Sequence, residues 1–316
     1  MTEAVVDLVE RARAGEARAI ARLISMVEDG SPLLPDVLAA LRGGGTAYVV
    51  GLTGAPGVGK STTTNALVAA YRERGDRVAV LAVDPSSPFT GGALLGDRIR
   101  MQEHAGDPGV YIRSMASRGQ LGGLAAATPQ AVRVLESAGF DVVLVETVGV
   151  GQSEVDVAAT ADATVVLLAP GMGDGIQAAK AGILEIGDIL CVNKADRDGA
   201  ATTVREVRHM LQMGSDRDGW TPVVVTSVAA QGEVGDLVAA LDERRTWLGE
   251  SDHLARRRRQ RARGEVLALA LGGLRSGLES RLTGPHAKDV DAVAEGAMSP
   301  YEAAERLLDE DDRMGR

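Results

Sequence analysis

Gly51-Leu52-Thr53-Gly54-Ala55-Pro56-Gly57-Val58-Gly59-Lys60-Ser61 decides the fold of this chain. Gly54 to Ser61 fits G-x-x-x-x-G-K-[ST], the phosphate-binding loop of nucleoside-triphosphate enzymes. Gly54, Gly57 and Gly59 let the backbone curl so that successive N–H groups face a chain of phosphates. The cradle runs through Gly54, Ala55, Pro56, Gly57, Val58, Gly59, Lys60, Ser61 and Thr62. Lys60 reaches the β- and γ-phosphates, and the Ser61 hydroxyl can ligate Mg²⁺. The flanks supply the structural context that a chance glycine-rich turn would lack. Ala47-Tyr48-Val49-Val50 reads as a buried strand, and the residues after Ser61 as a helix with its N-terminus at the phosphates.

Outward from the loop, short apolar runs alternate with helical stretches. The expected strands are Tyr48–Leu52, Val78–Val83, Val110–Arg113, Val142–Glu146, Thr164–Ala169, Ile189–Val192 and Val223–Thr226. The expected helices between them include Thr62–Arg74, Ala125–Ala138, Gly175–Glu185 and Thr202–Met213. Continuous β-branched runs, rather than strict alternation, suggest strands covered on both faces. The fold class is therefore α/β, a P-loop NTPase with a mainly parallel sheet between helices, with helical extensions at each end. Short helices are expected at Glu3–Ala14, Ala17–Glu28 and Leu34–Arg42, with Ile20, Leu23, Ile24 and Val27 forming an apolar stripe on the second. A long helix is expected over His253–Arg275, opening on the basic run Arg256–Arg259, Arg261 and Arg263, which reads as a solvated face. Ser299-Pro300-Tyr301-Glu302 starts a last helix with a capping box, and the acidic tail beyond it is expected to be disordered. The chain divides into a helical extension over 1–46, a P-loop domain over 47–250 and a helical arm over 251–316.

Composition narrows the function classes. With 316 residues, 45% hydrophobic and 25% charged, the chain can bury a sizeable core. A net charge of −10 and 3% aromatics argue against nucleic-acid binding, and no apolar run approaches a membrane span. The acid-bearing start lacks a signal-peptide core, and the single cysteine, Cys191, fits a reducing cytosol as a small core hydrophobe. A cytoplasmic protein is expected. Only Lys60, Lys180, Lys194 and Lys288 are lysines among 34 lysines and arginines, which marks Lys180 as a position where a compact ammonium is wanted.

The remaining motifs select the nucleotide. Asn193-Lys194-Ala195-Asp196 follows directly on a strand. A carboxylate at Asp196 accepts two hydrogen bonds from the guanine N1–H and N2–H₂ edge, a pattern adenine lacks. Asn193 orients the loop or touches N7, and the Lys194 stem covers the base. Ser227-Val228-Ala229 could offer a backbone N–H to guanine O6, or be an ordinary strand-end turn. Glu146 ends an apolar strand with Gly149 three residues on, as an acid near Mg²⁺ and a glycine sensing the γ-phosphate would. Many small GTPases carry Asp at the acid position, and the longer Glu146 leaves open contact with metal-bound or attacking water. Gln152 is a candidate to orient that water. Asp84-Pro85 through Asp97-Arg98 has the composition of a mobile switch, with both acids as metal-shell candidates.

Asp84–Arg98, Arg113-Ser114-Met115 with Gly119 to Gly123, Glu146–Glu154 and Asn193–Asp196 together resemble the methylmalonyl-CoA mutase-associated GTPases. This family, formerly known as arginine/ornithine-transport ATPases, lies in the signal-recognition-particle-like branch of P-loop proteins. The resemblance implies a homodimeric GTPase, dimerised by its C-terminal arm, that chaperones an adenosylcobalamin-dependent acyl-CoA mutase. It also implies cofactor gating with a cob(I)alamin adenosyltransferase, the cobalamin belonging to the partner. Carried over, Lys60 and Ser61 serve phosphates and Mg²⁺, Asp84, Asp97 and Glu146 form the magnesium and water shell, and Asn193 and Asp196 read guanine. Pro170–Lys180 matches a third switch of the family, with Gly175 where an acid is expected and Lys180 as the proposed coupling residue. Two other readings compete. A nickel-delivery GTPase would be expected to cluster Cys and His, whereas Cys191, His104, His209, His253 and His286 are scattered in sequence. A kinase acting on an amino-acid transport protein would need a phosphoacceptor site.

Overall fold

The structure is a computed structural model that describes residues 3–43, 45–85, 104, 106–117, 123–147, 153–171, 186–212 and 219–314. All seven expected strands form: β1 (Tyr48–Thr53), β2 (Val78–Pro85), β3 (Val110–Ser117), β4 (Val142–Thr147), β5 (Ala163–Leu168), β6 (Ile189–Asn193) and β7 (Val223–Ser227). They make one sheet in the order β3-β2-β4-β1-β5-β6-β7, and each named pairing is parallel. β1, β4, β5 and β6 are buried along their whole length, as their unbroken apolar runs require. The order places β1 between β4 and β5, where the chain's direction of winding reverses. In such sheets ligands lie outside the carboxyl ends of the strands at this point.

Alternate strand residues point to opposite faces, so each face gathers its own core. On one face Val49, Ala79, Leu81, Val143 and Val145 meet α1 (Glu3–Arg13), α2 (Ala17–Glu28) and α3 (Leu34–Ala40). The same cluster takes in α5 (Gly123–Ser137) and α6 (Ser153–Thr160), which follow the phosphate-loop helix α4 (Lys60–Glu73) in the chain. On the other face Val50, Leu52, Leu144, Val165 and Leu167 pack on α4 and on α8 (Gly235–Gly249). α7 (Ala200–Gln212) covers β6 through Val207. Ile20, Leu23, Ile24 and Val27 of α2 are all buried, so the N-terminal helices are part of the sheet's core cluster. Arg113 on β3 ties them further, donating to Ser25 Oγ at 2.9 Å and bonding Glu28.

The basic run on α9 (His253–Leu282) departs from expectation. Arg257, Arg258 and Arg261 are not a solvated face; they reach the amino ends of the strands. Asp188, just before β6, holds Arg244 at 2.8 Å and Arg257 at 3.0 Å. Asp162, just before β5, holds Arg258 at 3.2 Å and Arg261 at 3.7 Å. Both carboxylates are 1% exposed and also accept backbone N–H groups, Asp188 from Thr164 and Asp162 from Val49. The arginines donate as well to the carbonyls of Ala161, Ala47 and Thr160. Buried carboxylates need such partners, and a guanidinium can serve a carboxylate and a carbonyl together. Arg244 is further sandwiched between Trp220 and Trp247, its guanidinium 4.9 and 4.6 Å from the ring centroids.

The chain divides into two compact units, Met1–Gly264 and Glu265–Arg316. The second contains the rest of α9, α10 (Ala287–Ala294) and α11 (Pro300–Met314). Ser299 caps α11 by accepting the Glu302 N–H at 3.1 Å, as expected. The Glu302 carboxylate, however, pairs with Arg306 one turn on rather than closing a capping box. α11 continues to Met314, so the acidic tail expected to be disordered is helical. α9 runs past Arg275 to Leu282, tolerating Gly272, Gly273 and Gly277. The expected helix over Gly175–Glu185 lies outside the described residues.

The two-ended anchoring of Asp188 sets an expected outcome. Asp188→Ala removes the carboxylate from a fully buried guanidinium and should lower stability by about 3–5 kcal/mol. Arg257→Ala, at the more exposed end of the same network, should cost about 1 kcal/mol. Urea unfolding of both variants measures the difference.

Candidate functional site

The site is built where β1 turns into α4. Gly54, Gly57 and Gly59 adopt φ of 141°, 79° and 97°, all in the region that favours glycine. Two of them are also forced by close approach. A Cβ on Gly54 would strike the Leu167 carbonyl oxygen of β5, and one on Gly59 would strike the Asn193 side-chain nitrogen of β6. The loop is thus pressed onto the ends of two neighbouring strands. Thr63 Oγ1 donates to the Gly59 carbonyl at 2.9 Å, closing the first turn of the helix. Lys60 is buried over the loop and its Nζ donates to the carbonyls of Gly54 at 2.7 Å and Ala55 at 3.1 Å.

Glu146, near the end of β4, is 3% exposed. Ser61 Oγ donates to its Oε1 at 2.7 Å and Thr64 Oγ1 to its Oε2 at 2.8 Å. Loop, helix and strand-end acid therefore meet as the motifs require. The Ser61–Glu146 pair was legible in the sequence; Thr64 was missed. The available signal was its place one turn beyond Ser61, where i and i+3 side chains share a face.

β6 delivers the second motif. Asn193 is 2% exposed, with Nδ2 donating to the Val58 carbonyl at 2.9 Å. Its Oδ1 accepts from Ser227 Oγ and from the Ala229 N–H, each at 3.1 Å. Of the two roles open to Asn193, orienting the loop is the one its contacts perform. Lys194 has φ of 57° and its Nζ donates to the Gly57 carbonyl at 2.6 Å. Asp196 is exposed, two residues beyond it. Of the two readings open to Ser227-Val228-Ala229, its contacts are those of a strand-end turn. Val228 N–H donates to the Glu233 carbonyl and Ala229 N–H to Asn193 Oδ1. Cys191 lies beneath, 3.2 Å from Ser227 Oγ, its thiol pushed up to about 12 by burial.

The structure brings together the 54–62 loop, Glu146, Asn193, Lys194, Ser227 and Ala229. The Asp84 backbone is paired with Ala116 on β3, at the carboxyl end of the sheet. The Asp84 side chain, and Asp97, Gly149, Gln152, Gly175 and Lys180 as a whole, lie outside the described residues.

Comparisons with known proteins agree with this geometry. The family model described as methylmalonyl Co-A mutase-associated GTPase MeaB matches residues 20–281. A protein of Pyrococcus abyssi named as a GTPase is 45% identical over 310 residues, covering 96% of each chain. The methylmalonic aciduria type A homolog of Caenorhabditis elegans, named as mitochondrial, is 42% identical over 217 residues, 67% of this chain and 54% of that one. The crystal structure of a protein named LAO/AO transport system kinase superposes with a TM-score of 0.71 at 28% identity, covering 99% of both chains.

The Asn193 bridge yields an expected outcome that does not depend on ligand. Asn193→Ala strips contacts from the Val58 carbonyl, Ser227 and Ala229 and should lower stability by about 1–3 kcal/mol. Asp196→Ala, an exposed change, should stay within about 0.5 kcal/mol. Thermal or urea unfolding separates the two.

Proposed function

The chain belongs to the methylmalonyl-CoA mutase-associated GTPase family, and from that premise we propose that it is a GTP-hydrolysing chaperone of an adenosylcobalamin-dependent acyl-CoA mutase. Methylmalonyl-CoA mutase is the foremost client, with GTP turnover gating cofactor loading and protecting or reactivating the mutase. The observation that carries the GTP reading is the contact of Asn193 and Lys194 with the Val58 and Gly57 carbonyls. In this reading the two contacts tie the strand end that carries Asp196 to the phosphate cradle. A nucleotide bound on that cradle presents its base edge to one carboxylate.

The residues present fit Mg²⁺ with a nucleoside triphosphate. Three positive-φ glycines curl the loop, and a serine hydroxyl lies against a buried carboxylate. Ser61 would hold the ion with Glu146, Asp84 and Asp97 around it, and Lys60 would swing from the Gly54 carbonyl to the phosphates. When bound, Mg²⁺ neutralises charge across the β- and γ-phosphate oxygens. Gly149 is assigned to sensing the γ-phosphate, Gln152 to orienting the attacking water and Lys180 to coupling nucleotide state to the partner.

The chain is proposed to act as a homodimer. Leu267, Leu271 and Leu274 of α9 are 56%, 56% and 60% exposed in the second unit and recur at the four–three spacing of a coiled-coil seam. An apolar row of this kind on a helix is a self-association face. A second reading, phosphotransfer to a protein, draws support from the similarity to the protein named as a transport system kinase. Protein-bound label after incubation with γ-labelled GTP and cell extract would favour it.

Two expected outcomes follow from these assignments. Asp196→Asn should weaken GTP binding and favour xanthosine triphosphate, a mismatch worth roughly 10⁴-fold. Equal affinity of the parent for ATP and GTP would overturn the guanine assignment. Leu271→Glu with Leu274→Glu should leave GTP affinity intact and convert a dimer to a monomer by sedimentation at micromolar concentration.

A further inference from the structure

The strand-end acid is a glutamate, and its carboxylate is gripped from one side by two hydroxyls of the same helical turn. Ser61 and Thr64 stand at i and i+3 on α4, so their side chains lie on one face. Ser61 Oγ takes Oε1 at 2.7 Å and Thr64 Oγ1 takes Oε2 at 2.8 Å. Thr64 is fully buried, and its hydroxyl also lies 3.0 Å from the Lys60 carbonyl. A buried hydroxyl that could be satisfied by the helix backbone alone is instead shared with the carboxylate. The extra methylene of Glu146 carries its carboxylate about 1.5 Å further than an aspartate would reach, a single C–C bond. That reach lets one carboxylate meet both hydroxyls.

We infer that Thr64 is a positioning residue for the Mg²⁺ site: by holding Glu146 Oε2 it turns Oε1 onto the Ser61 hydroxyl and aims the Ser61 lone pairs at the cation. The inference rests on the reading of this loop as a Mg²⁺–nucleotide site. Ser61 Oγ has one proton and two lone pairs, so donating to Oε1 leaves the lone pairs for the ion. Removing the second contact loosens the last torsion of the carboxylate, which is broad for such groups, and with it the orientation of the acceptor that Ser61 meets. The Thr64 hydroxyl meets the Lys60 carbonyl and Glu146 and is not among the residues assigned to the phosphates, so its effect is expected at the metal.

The test uses the full-length protein and three substitutions. Thr64→Val removes the hydroxyl at nearly constant volume, Thr64→Ser keeps it, and Glu146→Asp withdraws the carboxylate from it. The measurement is the Mg²⁺ concentration giving half-maximal GTP hydrolysis, together with GDP affinity in excess chelator. Thr64→Val should raise the Mg²⁺ requirement by about tenfold, the worth of one hydrogen bond to a charged group. Its chelator-measured GDP affinity should stay within about twofold, which also shows that the variant is folded. Thr64→Ser should restore the parent requirement. In the Glu146→Asp background, Thr64→Val should add less than about twofold, because the two act as one unit. An unchanged Mg²⁺ requirement in Thr64→Val overturns the proposal, as does a Thr64→Ser variant as impaired as Thr64→Val, or fully additive effects in the double variant. A parent protein with no Mg²⁺-dependent GTP hydrolysis would instead overturn the reading of the site itself.

Discussion

Two contacts that admit no side chain fix the nucleotide end of this molecule: the Gly54 backbone against the Leu167 carbonyl, and the Gly59 backbone against the Asn193 amide. With the loop pinned to β5 and β6, the start of α4 has one place to go. Lys60, Ser61 and Thr64 then fall over β1 and β4, and Glu146 meets two hydroxyls at the end of its own strand. Asn193 completes the constraint from the other side by holding Val58 and the Ser227–Ala229 turn at once. A cradle assembled this way has its backbone tied to two strands, and donors held in place in advance are what electrostatic stabilisation of a phosphoryl group uses. Its parts come from loop, helix and four strands, so no single segment contains it.

The opposite end of the sheet solves a different problem. Parallel strands begin with backbone N–H groups at one rim, and here Asp162 and Asp188 accept from Val49 and Thr164 across neighbouring strands. Each carboxylate is then buried and must be neutralised. α8 and the first turns of α9 supply four guanidiniums for two acids. A buried pair of this kind gives little net stability over an apolar substitute, but breaking one partner is costly. Its effect is to set the position of helices on the sheet.

Much of the fold was legible, for a reason visible in particular runs. Val142-Val143-Leu144-Val145 and Ile189-Leu190-Cys191-Val192 are continuous and β-branched because both faces are covered, and they became strands at the expected places. The Gly54–Ser61 and Asn193–Asp196 motifs were legible because their spacing is dictated by ligand geometry. The basic run of α9 was misread because a charge run in sequence carries no sign of where its acids lie. Asp162 and Asp188 are nearly a hundred and about seventy residues away from their arginines in the chain. The Ser227–Ala229 turn stayed open between two readings for a related reason: whether an N–H faces a ligand or an asparagine depends on a contact between strands. The acidic end of α11 follows the same pattern, since like charge alone says nothing of the helix that carries it.

The division of cations between the two ends has a chemical cause. An ammonium is a compact point charge on a flexible stem, whereas a guanidinium is a planar fork of fixed donors. At the loop, Lys60 and Lys194 lay single nitrogens on the carbonyls of Gly54, Ala55 and Gly57, contacts that can be exchanged when phosphates occupy the cradle. At the far rim, Arg257 spans the Ala161 carbonyl and Asp188 together, and Arg258 spans the Ala47 carbonyl and Asp162. Arg257 makes its bridge with two nitrogens of one plane, Nε and Nη2, which a single-nitrogen cation could not reproduce, whereas Arg258 makes both contacts through Nη2. A chain with thirty arginines that keeps two of its four lysines at the 54–62 loop and next to Asn193 thus separates the single-nitrogen contacts of one rim from the guanidinium contacts of the other. The end that must accept and release a polyanion uses the cation whose contacts can be remade, and the end that must hold still uses the one whose contacts cannot.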